Sequence, residues 1–133
     1  MSKNRMQLIF GIDEDEQRRY VRGMQTEDRF FEAVRAINYR TTEIEVPDCL
    51  LRIDRTSTVD DMNGTDAIAY MNLEEFAEID IQIKSSLYGL QVFKDAHPDF
   101  VGVMIVIPDD AAEGAIIEGI LWGIQKFIED SIE

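Results

Sequence analysis

In residues 78–86, EIDIQIKSS, polar and apolar residues alternate strictly as far as the lysine. A period of two is typical of a β-strand, because successive side chains point to opposite faces of the sheet. One face would carry three isoleucines that bury against helices: Ile79, Ile81 and Ile83. The other face would carry a row of groups that could ligate a metal ion or hold a charge: Glu78, Asp80, Gln82 and Lys84.

A helix is predicted well before this strand. Thr26 is a residue type that caps helix N-termini, and Glu27 and Asp28 would lie in the first turn, where the helix dipole favours acids. Apolar residues follow at helical spacing, and Glu27 shares their face: Phe30, Phe31, Val34 and Ile37. Residues 1–25 stay ambiguous, since QLIFGI could be a short strand and DEQRRYVRGM is compatible with a helix.

Two strands are predicted between that helix and residues 78–86. In residues 47–55, PDCLLRIDR, one face would hold Cys49, Leu51 and Ile53, and the other Leu50, Arg52 and Asp54. The run DDMNGT has the composition of a turn, including an Asn-Gly pair. A second extended run, DAIAYM, follows at residues 66–71.

The elements after residues 78–86 complete a single α/β domain. Residues 87–96, LYGLQVFKDA, are predicted to form a helix that is stopped by Pro98, and residues 100–107, FVGVMIVI, a strand buried on both faces. A last helix is predicted within residues 110–132, with apolar residues at Ile116, Ile117, Ile120, Leu121, Ile124, Phe127 and Ile128. The strand–helix–strand crossover predicts two parallel strands. No linker marks a second domain, so we expect one domain over residues 1–133, with a mixed central sheet flanked by helices.

This order of elements, α-β-β-β-α-β plus a C-terminal helix, resembles the restriction-endonuclease-like, or PD-(D/E)XK, superfamily over roughly residues 26–107. In that family a helix with a glutamate precedes three strands; the second strand carries an aspartate and the third an acid-x-lysine pair. Glu27 corresponds to the helix glutamate and Asp66, in NGTDAIAY, to the aspartate. Gln82 and Lys84, in IQIKSS, correspond to the pair, similar to family versions in which glutamine replaces the acid.

The resemblance implies a restriction-endonuclease-like core and hydrolysis of phosphodiester bonds with Mg²⁺ or Mn²⁺. Asp66 would be the main metal ligand, and Gln82 and the main-chain carbonyl of Ile83 would join it. Glu27 would act on the metal directly or through water. Lys84 would stabilise the developing charge or position the attacking water. The implied catalytic residues are therefore Asp66, Gln82 and Lys84.

Gln82 departs from the commonest form of the motif. Its amide oxygen can coordinate a metal ion but brings no charge, so we expect a weaker metal affinity. Asp80, two residues earlier on the same strand face, could offset this loss as an auxiliary acid. Simpler interpretations stand beside these roles: a solvated strand face for Glu78 and Asp80, and a first-turn helix acid for Glu27.

The net charge and the motif residues favour different hypotheses about function. The chain holds 13 lysines and arginines against 27 acids, a formal net charge of −14. Residues 1–55 contain all nine arginines and have a net charge of −1, whereas residues 56–133 have a net charge of −13. Nucleic-acid binders usually present a basic footprint, so the acidity favours a catalytically degenerate nuclease-fold protein that binds a protein partner. The motif residues favour a Mg²⁺-dependent nuclease acting on DNA.

The remaining features indicate a cytoplasmic protein. No apolar run approaches the roughly 20 residues that span a bilayer, and no small-residue cleavage site follows the first apolar patch. The single cysteine, Cys49, cannot form an internal disulfide, which suits a reducing compartment. His97, in AHPDF, is predicted to lie in a loop rather than to act as a general base. The apolar last helix could supply a homodimer interface.

Overall fold

The computed structural model describes residues 14–56 and 65–132 of the 133-residue chain. Its elements are helix α1 (Glu14–Tyr39), strands β1 (Leu50–Arg55), β2 (Ala67–Met71) and β3 (Glu78–Lys84), helix α2 (Leu87–Ala96), strand β4 (Val103–Val106) and helix α3 (Glu113–Ile132). The predicted order of elements is confirmed. The QLIFGI segment and all but the last residue of DDMNGT lie outside the described residues. In the described ranges, no helix combines the length and apolarity needed to cross a membrane.

The four strands of the described residues form one mixed, open sheet in the order β1-β2-β3-β4. The β1–β2 and β2–β3 pairs are antiparallel, and β3 and β4 are parallel, as the crossover through α2 predicted. The pairing between β2 and β3 ends where Ala67 lies opposite Ile81, so the last residues of β3 extend beyond β2. On their other side they pair with β4 as far as Lys84, opposite Val106. The end of β3 therefore pairs with β4 along one edge and extends beyond β2 along the other.

The isoleucine face of β3 forms the centre of the hydrophobic core. Ile79, Ile81 and Ile83 are buried, together with Phe30 of α1. Helix α1 packs on β1, β3 and α3, and α3 packs on β4, so both helices cover this face. Helix α3 contributes Ile116, Ile117, Ile120 and Ile124. Because these isoleucines are buried in the core of the chain, a homodimer interface on α3 would have to use its exposed apolar residues, Trp122 and Ile132.

Helix α1 begins at Glu14, well before the predicted start. Thr26 lies inside the helix, where its Oγ1 donates to the carbonyl of Arg22 at 2.9 Å. A threonine hydroxyl can bond the carbonyl one turn back, so the residue type alone does not mark a helix N-terminus. The predicted cap is therefore wrong. Glu27 does not lie in a first helical turn, so its simpler interpretation as a first-turn helix acid is also wrong.

Strand β1 departs from the predicted alternation. Its pairing with β2 shifts between Leu50 and Arg52, as in a β-bulge. An extra residue at a bulge changes which side chains share a face. Leu50 and Ile53 are consequently buried, and Leu51, predicted to share the face of Ile53, is exposed. Strand β4 also differs from its prediction: it alternates buried and half-buried residues, because it lies at the edge of the described sheet.

Gly102 allows β4 to lie directly against β3. A Cβ atom at this position would be 2.3 Å from the main-chain oxygen of Asp80 and 3.0 Å from the ring of Phe100. Backbone at that distance cannot move aside as the end of a long side chain can. A residue without a side chain is therefore required where β4 begins, and the close approach fixes the strand that supports the end of β3.

Asn38 joins the end of α1 to β1. Its amide nitrogen donates to the carbonyl of Ile53 at 2.9 Å, and its Oδ1 accepts from the N–H of Ile53 at 2.8 Å. One side chain thus satisfies both main-chain polar groups of a buried strand residue. These two bonds fix the position of α1, which carries Glu27, relative to the sheet.

We expect Asn38→Ala to lower the free energy of unfolding by about 1–3 kcal/mol, because it leaves two main-chain groups of Ile53 without their partner. Urea denaturation followed by circular dichroism measures the change. The exposed Asn72 supplies a matched control, and Asn72→Ala should change the free energy of unfolding by less than about 0.5 kcal/mol. An Asn38→Ala protein as stable as the wild type would contradict this role.

Candidate functional site

A cleft of about 1050 Å³ opens at the end of β3, between α1 and α2. Its walls include every residue predicted to bind the metal or to act in catalysis: Glu27, Asp66, Gln82, Ile83 and Lys84. These residues come from α1, from the position just before β2 and from the end of β3. Asp80 instead lines a second cleft of about 610 Å³, together with Thr65 and Asp99. The structure therefore brings five of the predicted residues together and places the auxiliary acid elsewhere.

Asp66 lies beside the part of β3 that extends beyond β2. Its N–H donates to the carbonyl of Ile81 at 2.9 Å, and its Oδ2 accepts from the N–H of Ile83 at 2.8 Å. The carboxylate thus takes the place that a further residue of β2 would occupy in the ladder. Because Ile81 and Ile83 are two residues apart, their main-chain polar groups point to the same edge of β3. The carbonyl of Ile83 therefore lies at the edge where Asp66 is held.

Gln82 is the only polar residue of β3 that is almost fully buried, at 5% exposed, and it still lines the cleft. Its Oε1 has no hydrogen-bond partner among the described residues. A buried polar atom without a partner costs about 1–3 kcal/mol, and folded proteins keep few of them. Amide oxygens are among the ligands of hard divalent cations. This oxygen therefore fits a metal ligand.

Glu27 is bound by an arginine from the end of β1. Arg55 Nη1 donates to Glu27 Oε1, and the guanidinium carbon lies 4.0 Å from the ring centroid of Phe31. Both members of the ion pair are substantially exposed. Exposed pairs contribute about 1 kcal/mol or less, so a metal ion could compete with Arg55 for this carboxylate. The pair therefore favours a role for Glu27 through water, or directly once Arg55 is displaced.

Lys84 lies against an aromatic cluster on α2. Its Nζ is 5.4 Å from the ring centroid of Phe93, which stacks on His97 with 4.6 Å between centroids. An ammonium is attracted to the face of an aromatic ring, so this contact holds Lys84 along the cleft wall. His97 follows the last residue of α2, and its N–H donates to the carbonyl of Phe93 at 2.8 Å. The prediction that His97 lies outside the helix and strand is confirmed.

Two arginines tie α1 to the connection between β4 and α3. Arg22 Nη2 lies 2.6 Å from Asp109 Oδ2, and Arg29 Nη1 donates to the carbonyl of Pro108 at 3.0 Å. The hydrogen bond from Arg22 holds the pKa of the Asp109 carboxyl below its ordinary value and raises the pKa of Arg22 itself. These contacts position α1, and therefore Glu27, beside the end of β3. Arg22 also lines the cleft, but its charge is already paired with that of Asp109.

The metal-binding capacity of the cleft is limited. Within residues 14–56 and 65–132, no group of three or more His, Cys, Asp or Glu side chains is placed to hold a metal ion. The cleft combines the carboxylates of Glu27 and Asp66 with one amide oxygen and one main-chain carbonyl. Hard oxygen donors in small number fit Mg²⁺ or Mn²⁺, which can keep water and substrate oxygens as further ligands. They do not fit the nitrogen and sulfur sites of zinc.

Sequence reasoning missed three residues of this region. Ser86 caps α2, its Oγ accepting from the N–H of Gly89 at 3.0 Å; a serine directly before a helical run is a recognised signal. Tyr88 lines the cleft yet is largely exposed, which the periodicity of a ten-residue helix does not distinguish from a core aromatic. The pairing of Arg55 with Glu27 had no local signal, because it depends on how α1 packs against β1.

The chain matches no protein-family model, no curated protein and no solved structure. Over residues 14–56 and 65–132, its fold is that of an α/β protein with a four-stranded mixed sheet and a cleft at the end of a central strand.

Proposed function

We propose that the chain is a metal-dependent phosphodiesterase that hydrolyses DNA on a restriction-endonuclease-like core. The observation that carries this proposal is the cleft at the end of β3. There Asp66, from the position just before β2, lines the same cleft as Gln82, with its partnerless oxygen, and Lys84, which lie 16 and 18 residues later on β3. Convergence in one cleft is what a phosphodiesterase site requires of these residues. Asp66 and the two β3 residues come from different parts of the chain, so the tertiary fold is what places them in one concave site.

The arrangement of elements supports the same proposal. The order helix, three strands, helix, strand agrees with the core that the resemblance implies, as does the mixed described sheet, whose neighbours β3 and β4 are parallel. A fold alone does not fix an activity. The proposal therefore depends on the residues of the cleft rather than on the architecture.

Each cleft residue has a distinct task under this proposal. Asp66, Gln82 and the carbonyl of Ile83 would hold a divalent cation, and Glu27 would contribute through water or directly. Such a cation, when bound, polarises a phosphate oxygen and lowers the pKa of bound water. Lys84 would orient the attacking water or stabilise the charge that develops on the phosphate. Its contact with Phe93 holds the ammonium against α2, on a wall of the same cleft.

Lys84→Gln tests the proposal. We expect it to lower the rate of DNA cleavage by about 10²–10³-fold, the usual effect of removing a group that stabilises transition-state charge, and to leave metal affinity nearly unchanged. Calorimetric titration with Mg²⁺ and Mn²⁺, together with cleavage assays on single- and double-stranded DNA, measures both quantities.

Lys94, which lies on α2 outside the cleft, gives a matched control for this experiment. Lys94→Gln removes the same charge and should cleave at the wild-type rate. Cleavage by Lys84→Gln at that same rate would overturn the role of Lys84. A wild-type protein that neither binds Mg²⁺ or Mn²⁺ nor cleaves DNA would overturn the proposed function as a whole.

A second function is favoured by charge. Residues 56–133 carry a net charge of −13, and Arg55 already occupies the carboxylate of Glu27. Both features suit a catalytically degenerate protein of the same fold that binds a basic protein partner through its acidic surface. Under this function the wild-type chain would show neither saturable metal binding nor cleavage, and its association with a basic partner would weaken steeply as salt concentration rises.

A further inference from the structure

One rim of the cleft is apolar and exposed. Tyr88, at the start of α2, is 80% exposed, and Val92, one turn later on the same side of the helix, is 49% exposed. Met24 of α1 is 48% exposed, and all three residues line the cleft. A large aromatic ring held on a ten-residue helix and turned to solvent contributes little to the core. It is, however, well placed to contact a bound ligand.

The position of this rim relative to Lys84 limits what the ligand can be. A Cβ atom at Gly89, next to Tyr88, would lie 3.8 Å from the Cβ of Lys84, so α2 passes directly over the proposed catalytic lysine. A polymer whose phosphate lies beside Lys84 would therefore extend a neighbouring group towards Tyr88. In a nucleic acid the sugar next to that phosphate carries a nucleobase, and this base is the group that would contact Tyr88.

Electrostatic attraction supplies only part of the affinity for such a polymer. Among the cleft-lining residues that the structure describes, the side chains with a full positive charge are Arg22 and Lys84. Arg22 is engaged by Asp109 through two nitrogens, at 3.1 and 2.6 Å. Nucleic-acid binding normally draws much of its free energy from neutralising phosphates. Without a bound metal ion, a cleft with so few available cations needs a second source of binding free energy, and stacking on an aromatic side chain can supply it.

We propose that Tyr88 is a stacking platform for an unpaired base, so that the cleft takes single-stranded nucleic acid in preference to an intact duplex. This inference rests on the proposed function, because it assigns the substrate of the same cleft. Bases within a duplex are stacked on one another and do not present a free face, whereas those of a single strand do. Val92 and Met24 extend the apolar surface on which the base would lie.

The test measures binding without metal, so that no cleavage interferes. Fluorescence anisotropy compares a labelled single strand with a hairpin duplex of matched length. Tyr88→Ala should weaken binding of the single strand by about ten- to a hundred-fold and leave duplex binding unchanged. Tyr39, which is 75% exposed at the end of α1 and outside the cleft, gives the control Tyr39→Ala, expected to bind as the wild type does.

A second variant reports stacking directly. In a Trp122→Phe background, Tyr88→Trp should retain single-strand binding and show quenched tryptophan emission when the strand binds. Unchanged binding by Tyr88→Ala, or an equal loss in Tyr39→Ala, would overturn the inference. So would emission from Tyr88→Trp that does not change on binding.

The failure of this inference and that of the proposed function are distinguishable. A protein that binds single strands through Tyr88 but does not cleave them with Mg²⁺ or Mn²⁺ would support the stacking site and contradict the proposed enzymatic function. The opposite result is a wild-type protein that cleaves DNA and a Tyr88→Ala variant with the same preference between single strands and duplexes. It would support the enzymatic function and contradict the stacking site.

Discussion

Asp66→Asn is expected to abolish saturable metal binding and to lower the rate of DNA cleavage by on the order of 10³-fold or more. The substitution removes the carboxylate that the structure holds at the open edge of β3, and Glu27, already bound by Arg55, is the remaining acid in the set. The fold should survive, because the asparagine oxygen can still accept the hydrogen bond that Ile83 donates at 2.8 Å. Loss of activity would then reflect lost charge and not lost structure.

Calorimetric titration with Mn²⁺ and a cleavage assay measure the two effects of Asp66→Asn, and thermal unfolding checks that the variant is folded. Asp54 provides the matched control, since it lies on β1, pairs with Arg52 at 2.8 Å and does not line the cleft. Asp54→Asn should bind metal and cleave as the wild type does. If Asp66→Asn retained cleavage, another group would have to hold the metal ion, and the proposed site would be wrong.

Gln82→Glu is expected to act in the opposite direction and to tighten Mg²⁺ binding by about ten- to a hundred-fold. A full negative charge replaces a neutral oxygen at a buried position, where the interaction between charges is stronger than in water. Without metal, the same carboxylate is buried near Asp66, so its charged form is disfavoured and the melting temperature should fall. Saturating Mg²⁺ should then raise the melting temperature of Gln82→Glu more than that of the wild type.

Thermal unfolding with and without Mg²⁺, together with calorimetry, tests these expectations for Gln82→Glu. Gln125 on α3 is exposed and does not line the cleft, and Gln125→Glu makes the same chemical change outside the site. Its melting temperature should show the wild-type response to Mg²⁺. Equal metal affinity in Gln82→Glu and the wild type would show that residue 82 does not face the ion.

Most of the fold could be predicted because hydrophobic periodicity is a local property. The alternation in β3 and the helical spacing in α3 both specify which residues are buried, and the structure buries Ile79, Ile81 and Ile83 as predicted. The errors arose where a local pattern has more than one physical outcome. Thr26 bonds the carbonyl of Arg22 inside a helix instead of capping one, and a bulge in β1 reverses the faces that follow it.

The residues of the cleft were predicted in part, since strand periodicity and the resemblance together selected Asp66, Gln82 and Lys84. Periodicity could not separate Asp80 from Gln82, because both lie on the same strand face. What separates them is the point at which the pairing between β2 and β3 ends, where Ala67 lies opposite Ile81, and the position of α2 above the end of β3. Those are tertiary features. The burial of Gln82 has the same origin, as alternation alone predicts an exposed polar residue.

The two hydrogen bonds between Asn38 and Ile53 also affect how the protein behaves at high concentration. In the described sheet, β1 is an edge strand, and edge strands recruit strands from other molecules through unpaired main-chain groups. Ile53 offers no such groups, because Asn38 engages both its N–H and its carbonyl. The bulge beside Leu51 further interrupts the regular ladder that an incoming strand would need. Intermolecular strand addition, a first step towards aggregation, is therefore blocked at this point, although Leu51 itself is exposed.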